Sequence, residues 1–221
     1  MKRCMQISGI KQTKKNKMKE LIKAGKNFNQ AEKVLIMIHG RGGTAQDILS
    51  MSEYLNVSKF ALVAPQAENN TWYPQSFLAP RTANEPSLGK ALQTLKDTVL
   101  YLEDEGFSKE QIYLLGFSQG ACLTLDFVAA NAARYGGVVA FTGGLIGEQV
   151  DHRNYHGNFD GTPIFIGSSD PDMHVPVSRV KESTTLLESM GAQVTEIIYE
   201  NMGHTISHSE IEQVNKLIFK D

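Results

Sequence analysis

One stretch constrains the fold more than any other. Ile112-Tyr113-Leu114-Leu115, a short apolar run of strand formers, leads through Gly116-Phe117-Ser118-Gln119-Gly120 straight into Ala121, Cys122, Leu123, Leu125, Phe127 and Val128, the pattern of a buried helix. A strand that must turn into a helix within five residues puts the serine at the apex of a strained turn. Side chains at the flanking glycines would crowd the neighbouring strand and helix, so only small residues fit there. Strand, tight turn and helix around G-x-S-x-G make a nucleophile elbow, which presents a serine hydroxyl at the top of a sheet. The plainer reading of Ser118, a helix N-cap, accounts for the helix start but not for the paired glycines.

The rest of the chain suits such a sheet. Apolar runs at 34–38, 60–64, 112–117, 138–141, 163–166 and 194–199 read as strands covered on both faces. Between them Leu88, Leu92, Leu95, Val99 and Leu102 recur at helical spacing, as do Val177, Val180, Thr184 and Leu187, and then Ile211, Val214 and Ile218. Strands alternating with helices predict a mainly parallel sheet flanked by helices on both faces, and with the nucleophile elbow the expectation is the α/β-hydrolase fold. Its 221 residues fit one domain, expected over 31–221 behind a basic segment at 1–30. Right-handed crossovers then bring every loop that follows a strand to one edge, where ligands bind.

Reactive side chains are therefore sought just after strands. A serine hydroxyl is a weak nucleophile and needs an imidazole to take its proton and a carboxylate to hold that imidazole. Of the histidines beyond Ser118, only His204 lies in a glycine-containing loop between the last strand and the last helix, in Asn201-Met202-Gly203-His204. The carboxylate is sought after the strand at 163–166, where Asp170 and Asp172 both stand. Asp170 precedes Pro171 and has a turn-opening role of its own, which favours Asp172.

After the first strong strand, His39-Gly40-Arg41-Gly42-Gly43-Thr44 brings backbone N–H groups toward a ligand. The amides of Arg41 and of Gln119, the residue after the nucleophile, are the expected oxyanion hole, with His39 bracing the loop. The loop has neither the G-x-x-x-x-G-K-[ST] nor the G-x-G-x-x-G pattern, which argues against nucleotide binding. Trp72, Tyr73 and Phe77, in a polar loop after the second strand, together with Leu145 and Ile146 after Gly143-Gly144, are candidate walls of a substrate pocket. The alternative for Trp72 and Phe77 is that they pack their loop onto the sheet.

Charge is uneven. The chain carries a formal net charge of -2, yet from Lys2 to Lys33 ten lysines and arginines stand against Glu20 and Glu32. A basic arm can meet nucleic acid or anionic lipid, and Met18, Leu21 and Ile22 could face a membrane surface. No nucleic-acid signature accompanies it, so a solvated arm is expected. No apolar run is long enough to span a bilayer, and no signal-peptide pattern follows Lys2 and Arg3. Cys4 and Cys122 are far apart and offer neither a disulfide framework nor a zinc site, which fits a cytoplasmic protein. His152 and His156, near Asp151 and Asp160, read as solvated loop residues rather than a metal site.

From Lys33 to the C-terminus the chain resembles the phospholipase/carboxylesterase family of small α/β-hydrolases, which includes acyl-protein thioesterases. The resemblance rests on His39-Gly40-Arg41-Gly42-Gly43, Gly116-Phe117-Ser118-Gln119-Gly120, the segment from Asp172 to Pro176, and Gly203-His204, in that order. The family pattern places an aspartate three residues before Val-Pro, which again selects Asp172, although Met173 stands where a proline is usual. The resemblance implies hydrolysis of esters or thioesters through a covalent acyl-enzyme, without metal or organic cofactor. A small-molecule ester is the expected substrate, with neither nucleic acid nor stable membrane insertion expected. Thioesterase or lysophospholipase activity is the neighbouring reading. Lactone cleavage of the dienelactone-hydrolase type is disfavoured because those relatives use a cysteine nucleophile. A non-catalytic receptor on the same scaffold is disfavoured by the intact Ser118, Asp172 and His204.

Overall fold

The computed structural model describes residues 21–220. Seven strands form one sheet in the order β1-β3-β2-β4-β5-β6-β7. They are β1 (Leu21–Gly25), β2 (Lys33–Ile38), β3 (Phe60–Pro65), β4 (Ile112–Phe117), β5 (Gly137–Phe141), β6 (Pro163–Asp170) and β7 (Gln193–Glu200). All neighbours run parallel except β1, which pairs antiparallel with β3 from Leu21 opposite Pro65 to Gly25 opposite Ala61. The helices are α1 (Ala45–Ser50), α2 (Ser87–Asp104), α3 (Gln119–Ala130), α4 (Val177–Ser189) and α5 (His208–Leu217).

Two cores lie on opposite faces of the sheet, because successive strand residues point to opposite sides. Val34, Ile36 and Ile38 of β2 pack with α2, α3 and α4, while Leu35 and Met37 pack with α1 and α5. The middle strands β2 to β5 are almost wholly buried, which is why their sequences are uninterrupted apolar runs. The edge strand β7 is only half-buried and correspondingly mixed. Helix α3 runs through the interior and its residues from Gln119 to Ala129 are all buried. Thr44 and Ser207 start α1 and α5 with reciprocal capping boxes, each worth about 1 kcal/mol to its helix.

Two expectations shift. Among the described residues the sheet begins at Leu21, within the basic segment 1–30. Leu21 and Ile22 pack against the two cores rather than presenting themselves to lipid; Met18 lies outside the described residues. Lysines are tolerated in β1 because it is an edge strand whose Lys23 reaches over the Phe28 and Tyr101 rings. Strand β6 also runs past Ile166 to Asp170, since Ser168 and Ser169 are small enough to be fully buried in the ladder to β7. No helix among the described residues is long and apolar enough to cross a membrane.

Candidate active site

Ser118 sits between β4 and α3 with φ 54° and ψ -118°, a conformation that costs a non-glycine residue about 1–3 kcal/mol. The turn is held from both sides. Its N–H donates to the Phe141 carbonyl at 2.9 Å, and its carbonyl accepts from the Cys122 N–H at 3.0 Å. A Cβ on Gly116 would collide with the Gly120 carbonyl and the Thr124 hydroxyl, and one on Gly120 with the Ile38 and His39 carbonyls. The elbow is thus the place where β4, α3 and the end of β2 come closest. Cys122, one turn on, is buried and its thiol is pushed up to about 12 by burial, so it stays protonated and unreactive at neutral pH.

His204 and Asp172 come to this serine from two other loops. His204 Nε2 lies 2.8 Å from Ser118 Oγ, and Nδ1 lies 2.8 Å from Asp172 Oδ2. The other oxygen of Asp172 accepts the N–H groups of His174 at 2.7 Å and Val175 at 2.9 Å. The carboxylate is completely buried. Burial alone would raise its pKa, but the two amides and the imidazole outweigh that and hold it below the usual carboxylate range. Ionised, it only accepts, so Nδ1 carries the proton and Nε2 is free to accept from the serine hydroxyl. The imidazole keeps 22% of its surface exposed, enough for a substrate to reach it. The rings of Phe117 and His174 flank its ring at centroid distances of 5.5 Å and 4.8 Å, the latter near perpendicular.

The loop carrying His204 is tied to β6. Asn201 N–H donates to the Asp170 carbonyl at 2.9 Å, and Gly203 N–H donates to Ser169 Oγ at 2.8 Å. Asp170 therefore contributes through its backbone, and the carboxylate that meets His204 is that of Asp172. Beyond the loop, the buried Glu210 accepts from Ser207 N–H at 2.7 Å and anchors the start of α5.

Gln119 opens α3, so its amide belongs to the first turn, where N–H groups lack intrahelical partners. Gly40, beside Arg41, lies against Ser118: a Cβ there would come within 3.5 Å of the serine Cβ. The side chains of Arg41 and Gln119 both grip the segment 71–75. The Arg41 guanidinium donates to Thr71 Oγ1 and to the carbonyls of Tyr73, Pro74 and Gln75. The Gln119 amide accepts from Trp72 N–H at 2.9 Å and donates to the Tyr73 carbonyl at 2.8 Å. His39 is a brace. Its Nε2 accepts from Ala67 N–H, so Nδ1 donates to the Gly40 carbonyl at 2.8 Å, and burial lowers its pKa and keeps it neutral.

Of the expected pocket walls, Trp72 and Tyr73 line a cavity of about 550 Å3 between the segment 66–74 and α2. Trp72, Tyr73, Phe77, Leu145 and Ile146 are all core residues with at most 7% of their surface exposed. The Trp72 indole N–H donates to the His39 carbonyl at 2.8 Å, so it fastens its loop to the sheet, as the packing alternative held. A second, open groove beside the elbow, about 350 Å3, is lined by Ile48, Met51, Phe117, Thr205 and Ile206 with the 39–43 loop. Among the described residues no group of three or more His, Cys, Asp or Glu is placed to hold a metal ion. The roles of Ser169, of His174 and of the Arg41 and Gln119 side chains carry no sequence signal of their own. They follow from which loops meet.

A seven-stranded, mainly parallel sheet with helices on both faces and a serine at the β4–α3 elbow defines an α/β-hydrolase. The family model described as Phospholipase/Carboxylesterase matches residues 18–220, and the chain belongs to that family, a group of hydrolases of the esterase class. Among solved structures, it is similar to a phospholipase/carboxylesterase from Dyadobacter fermentans DSM 18053, with a TM-score of 0.90 and 50% identity, over 91% of this chain and 96% of that one. A carboxylesterase of Bacillus cereus shares the fold at a TM-score of 0.72 and 22% identity, over 89% and 91%. By sequence, acyl-protein thioesterase 1 of Saccharomyces cerevisiae (strain ATCC 204508 / S288c) is 28% identical over 90% of this chain and 97% of its own length.

Proposed function

We propose that the protein is a serine carboxylic-ester hydrolase that works through an acyl-enzyme on small or medium acyl esters, with Ser118 as nucleophile, His204 as base and Asp172 as its orienter. The observation that carries this is the continuous chain from Ser118 Oγ through His204 to Asp172, with both distances 2.8 Å. His204 Nε2 takes the hydroxyl proton as the serine oxygen attacks the ester carbonyl. The carbonyl oxygen becomes an oxyanion facing the Arg41 and Gln119 amides. The imidazolium formed, stabilised by Asp172, gives its proton to the leaving alcohol oxygen, and the acyl group stays on Ser118. Water then repeats the sequence and releases the acid. The cysteine usage that fits a reducing compartment makes the cytoplasm the proposed location.

A thioesterase reading is favoured by one observation, the end-to-end likeness to the protein named acyl-protein thioesterase 1. Its chemistry at Ser118 is the same, with a thiol as leaving group. Labelling with a fluorophosphonate, followed by peptide mass spectrometry, tests the shared part. A single adduct on Ser118, abolished in Ser118→Ala, is expected. Absence of an adduct there while esters are still hydrolysed refutes the assignment.

A further inference from the structure

The two limbs of an ester must leave Ser118 in different directions. His204 Nε2 returns the proton to the departing oxygen, so the alcohol lies on the histidine side of the nucleophile, and the acyl limb, bonded to the serine, lies away from it. The groove of about 350 Å3 opens on the histidine side. Its walls are Thr205 and Ile206, which follow His204 directly, Phe117, which precedes Ser118, and Ile48 and Met51 from α1 and the turn after it. Ile206, Phe117 and Met51 are half-buried, with apolar surface still facing the groove, while Ile48 is almost wholly covered.

The chain that follows β5 is packed against the elbow. Gly143, after β5, presses on Ala121 beside the elbow. The residues that follow are stitched down by two arginines. Arg179 donates to the carbonyls of Leu145, Gly147 and Glu148, and Arg81 donates to the carbonyl of Ile146 while paired with the buried Asp126 at 2.7 Å. Leu145 and Ile146 are fully buried beneath these bonds. Charge in the groove also cancels. Its lining carries one cation, Arg41, already bonded to segment 71–75, one anion, Asp47, already bonded to Thr44, and His39, which is neutral.

We infer that the groove walled by Met51, Phe117 and Ile206 binds the alcohol limb of the substrate, and that the enzyme selects esters of neutral, apolar alcohols of about hexyl or benzyl size. The inference rests on the ester-hydrolase reading above. Burying each further methylene of the alcohol raises kcat/KM about fourfold until the groove is full. Because all acetates share one acyl-enzyme, kcat values converge wherever deacylation limits turnover, and the selectivity resides in kcat/KM.

The test measures kcat/KM for ethyl, butyl, hexyl and benzyl acetate beside ethyl acetate, butanoate and hexanoate, in the intact protein and in Met51→Trp. A rise with alcohol size that is steeper than any rise with acyl length, and a hexyl-to-ethyl ratio reduced at least tenfold in Met51→Trp, are expected. A second measurement needs no variant. Hexanol added during ethyl acetate turnover enters the same groove, gives its hydroxyl proton to His204 and takes the acetyl group from Ser118 to form hexyl acetate, more readily than ethanol or propanol at equal concentration. A rise with acyl length instead, erased by Met51→Trp, or no preference for hexanol over the short alcohols, overturns the inference and leaves the hydrolase reading intact. If no ester is turned over and Ser118 takes no label, the hydrolase reading itself falls.

Discussion

The nucleophile and its base are held in opposite ways. The elbow at Ser118 is fixed by contact. Backbone from β2, β4 and α3 meets at van der Waals distance around Gly116 and Gly120, and the turn cannot relax without moving the sheet. The loop that carries His204 is fixed by a few polar bonds, from Ser169 Oγ, the Asp170 carbonyl, Glu210 and Asp172, and most of it stays part-exposed. Close packing stores strain that a serine needs to stand clear of its helix. Hydrogen bonds leave an imidazole free to make small adjustments as its proton moves. Filling the space at the elbow glycines should therefore cost stability, and removing the reacting side chains should cost rate.

The largest effect expected is on rate. Ser118→Ala and His204→Ala each lose about 10^4- to 10^6-fold in kcat toward a good ester substrate, with thermal midpoints within a few degrees of the parent. A large fall in midpoint would make the loop, too, a structural element and break the contrast. Asp172→Asn comes next. The amide cannot impose the same tautomer on His204, and a loss of about 10^3- to 10^4-fold in kcat is expected from steady-state kinetics, with little change in KM.

At the elbow, Gly120→Ala puts a methyl group against the Ile38 and His39 carbonyls. Destabilisation of about 1–3 kcal/mol in urea or thermal unfolding is expected. If the variant is as stable as the parent and merely slow, contact is not what holds the turn. Removing the hydroxyl in Ser169→Ala leaves the Gly203 N–H without its acceptor and should cost about 1 kcal/mol and less than tenfold in kcat. It is the mildest of the set, because the Asp170 carbonyl and Glu210 still restrain the loop.

A pH prediction sharpens the contrast. The folded-state pKa of Asp172 is depressed, so the stability its ionised form contributes is fully present above the unfolded value of about 3.9. That contribution is lost as pH falls below this value and through the folded one. Asp172→Asn, which does not titrate, should show a shallower loss of stability in that acid range than the parent. Parallel curves for the two would mean that the buried carboxylate adds nothing to acid stability.

The same division explains what the sequence made legible. The elbow is local: strand, glycines and helix fall within 17 residues, from Ile112 to Val128, and sterics alone point to Ser118. His204 and Asp172 could be chosen because parallel topology brings the loops after β6 and β7 to the same edge as the elbow. Strand β1 escaped because its Leu-Ile-Lys-Ala-Gly sequence sits in a lysine-rich stretch, and edge strands need no apolar alternation. The end of β6 escaped because Gly167, Ser168 and Ser169 look like a turn, although a buried ladder accepts them. The groove was beyond reach. Ile48, Met51, Phe117 and Ile206 come from three distant segments, and which side chains face open space depends on packing that no local pattern encodes. Trp72 and Tyr73, the conspicuous aromatics, are mostly covered by the core yet line a separate cavity beside α2.

The most direct test of the central claim is intact and peptide mass spectrometry of the protein quenched in acid during turnover of an acetate ester. The account predicts a transient mass increase equal to one acetyl group, confined to the peptide bearing Ser118, that accumulates faster than it decays in the first turnover and is absent in Ser118→Ala. Turnover without an adduct on that peptide, or an adduct that persists in Ser118→Ala, would contradict it.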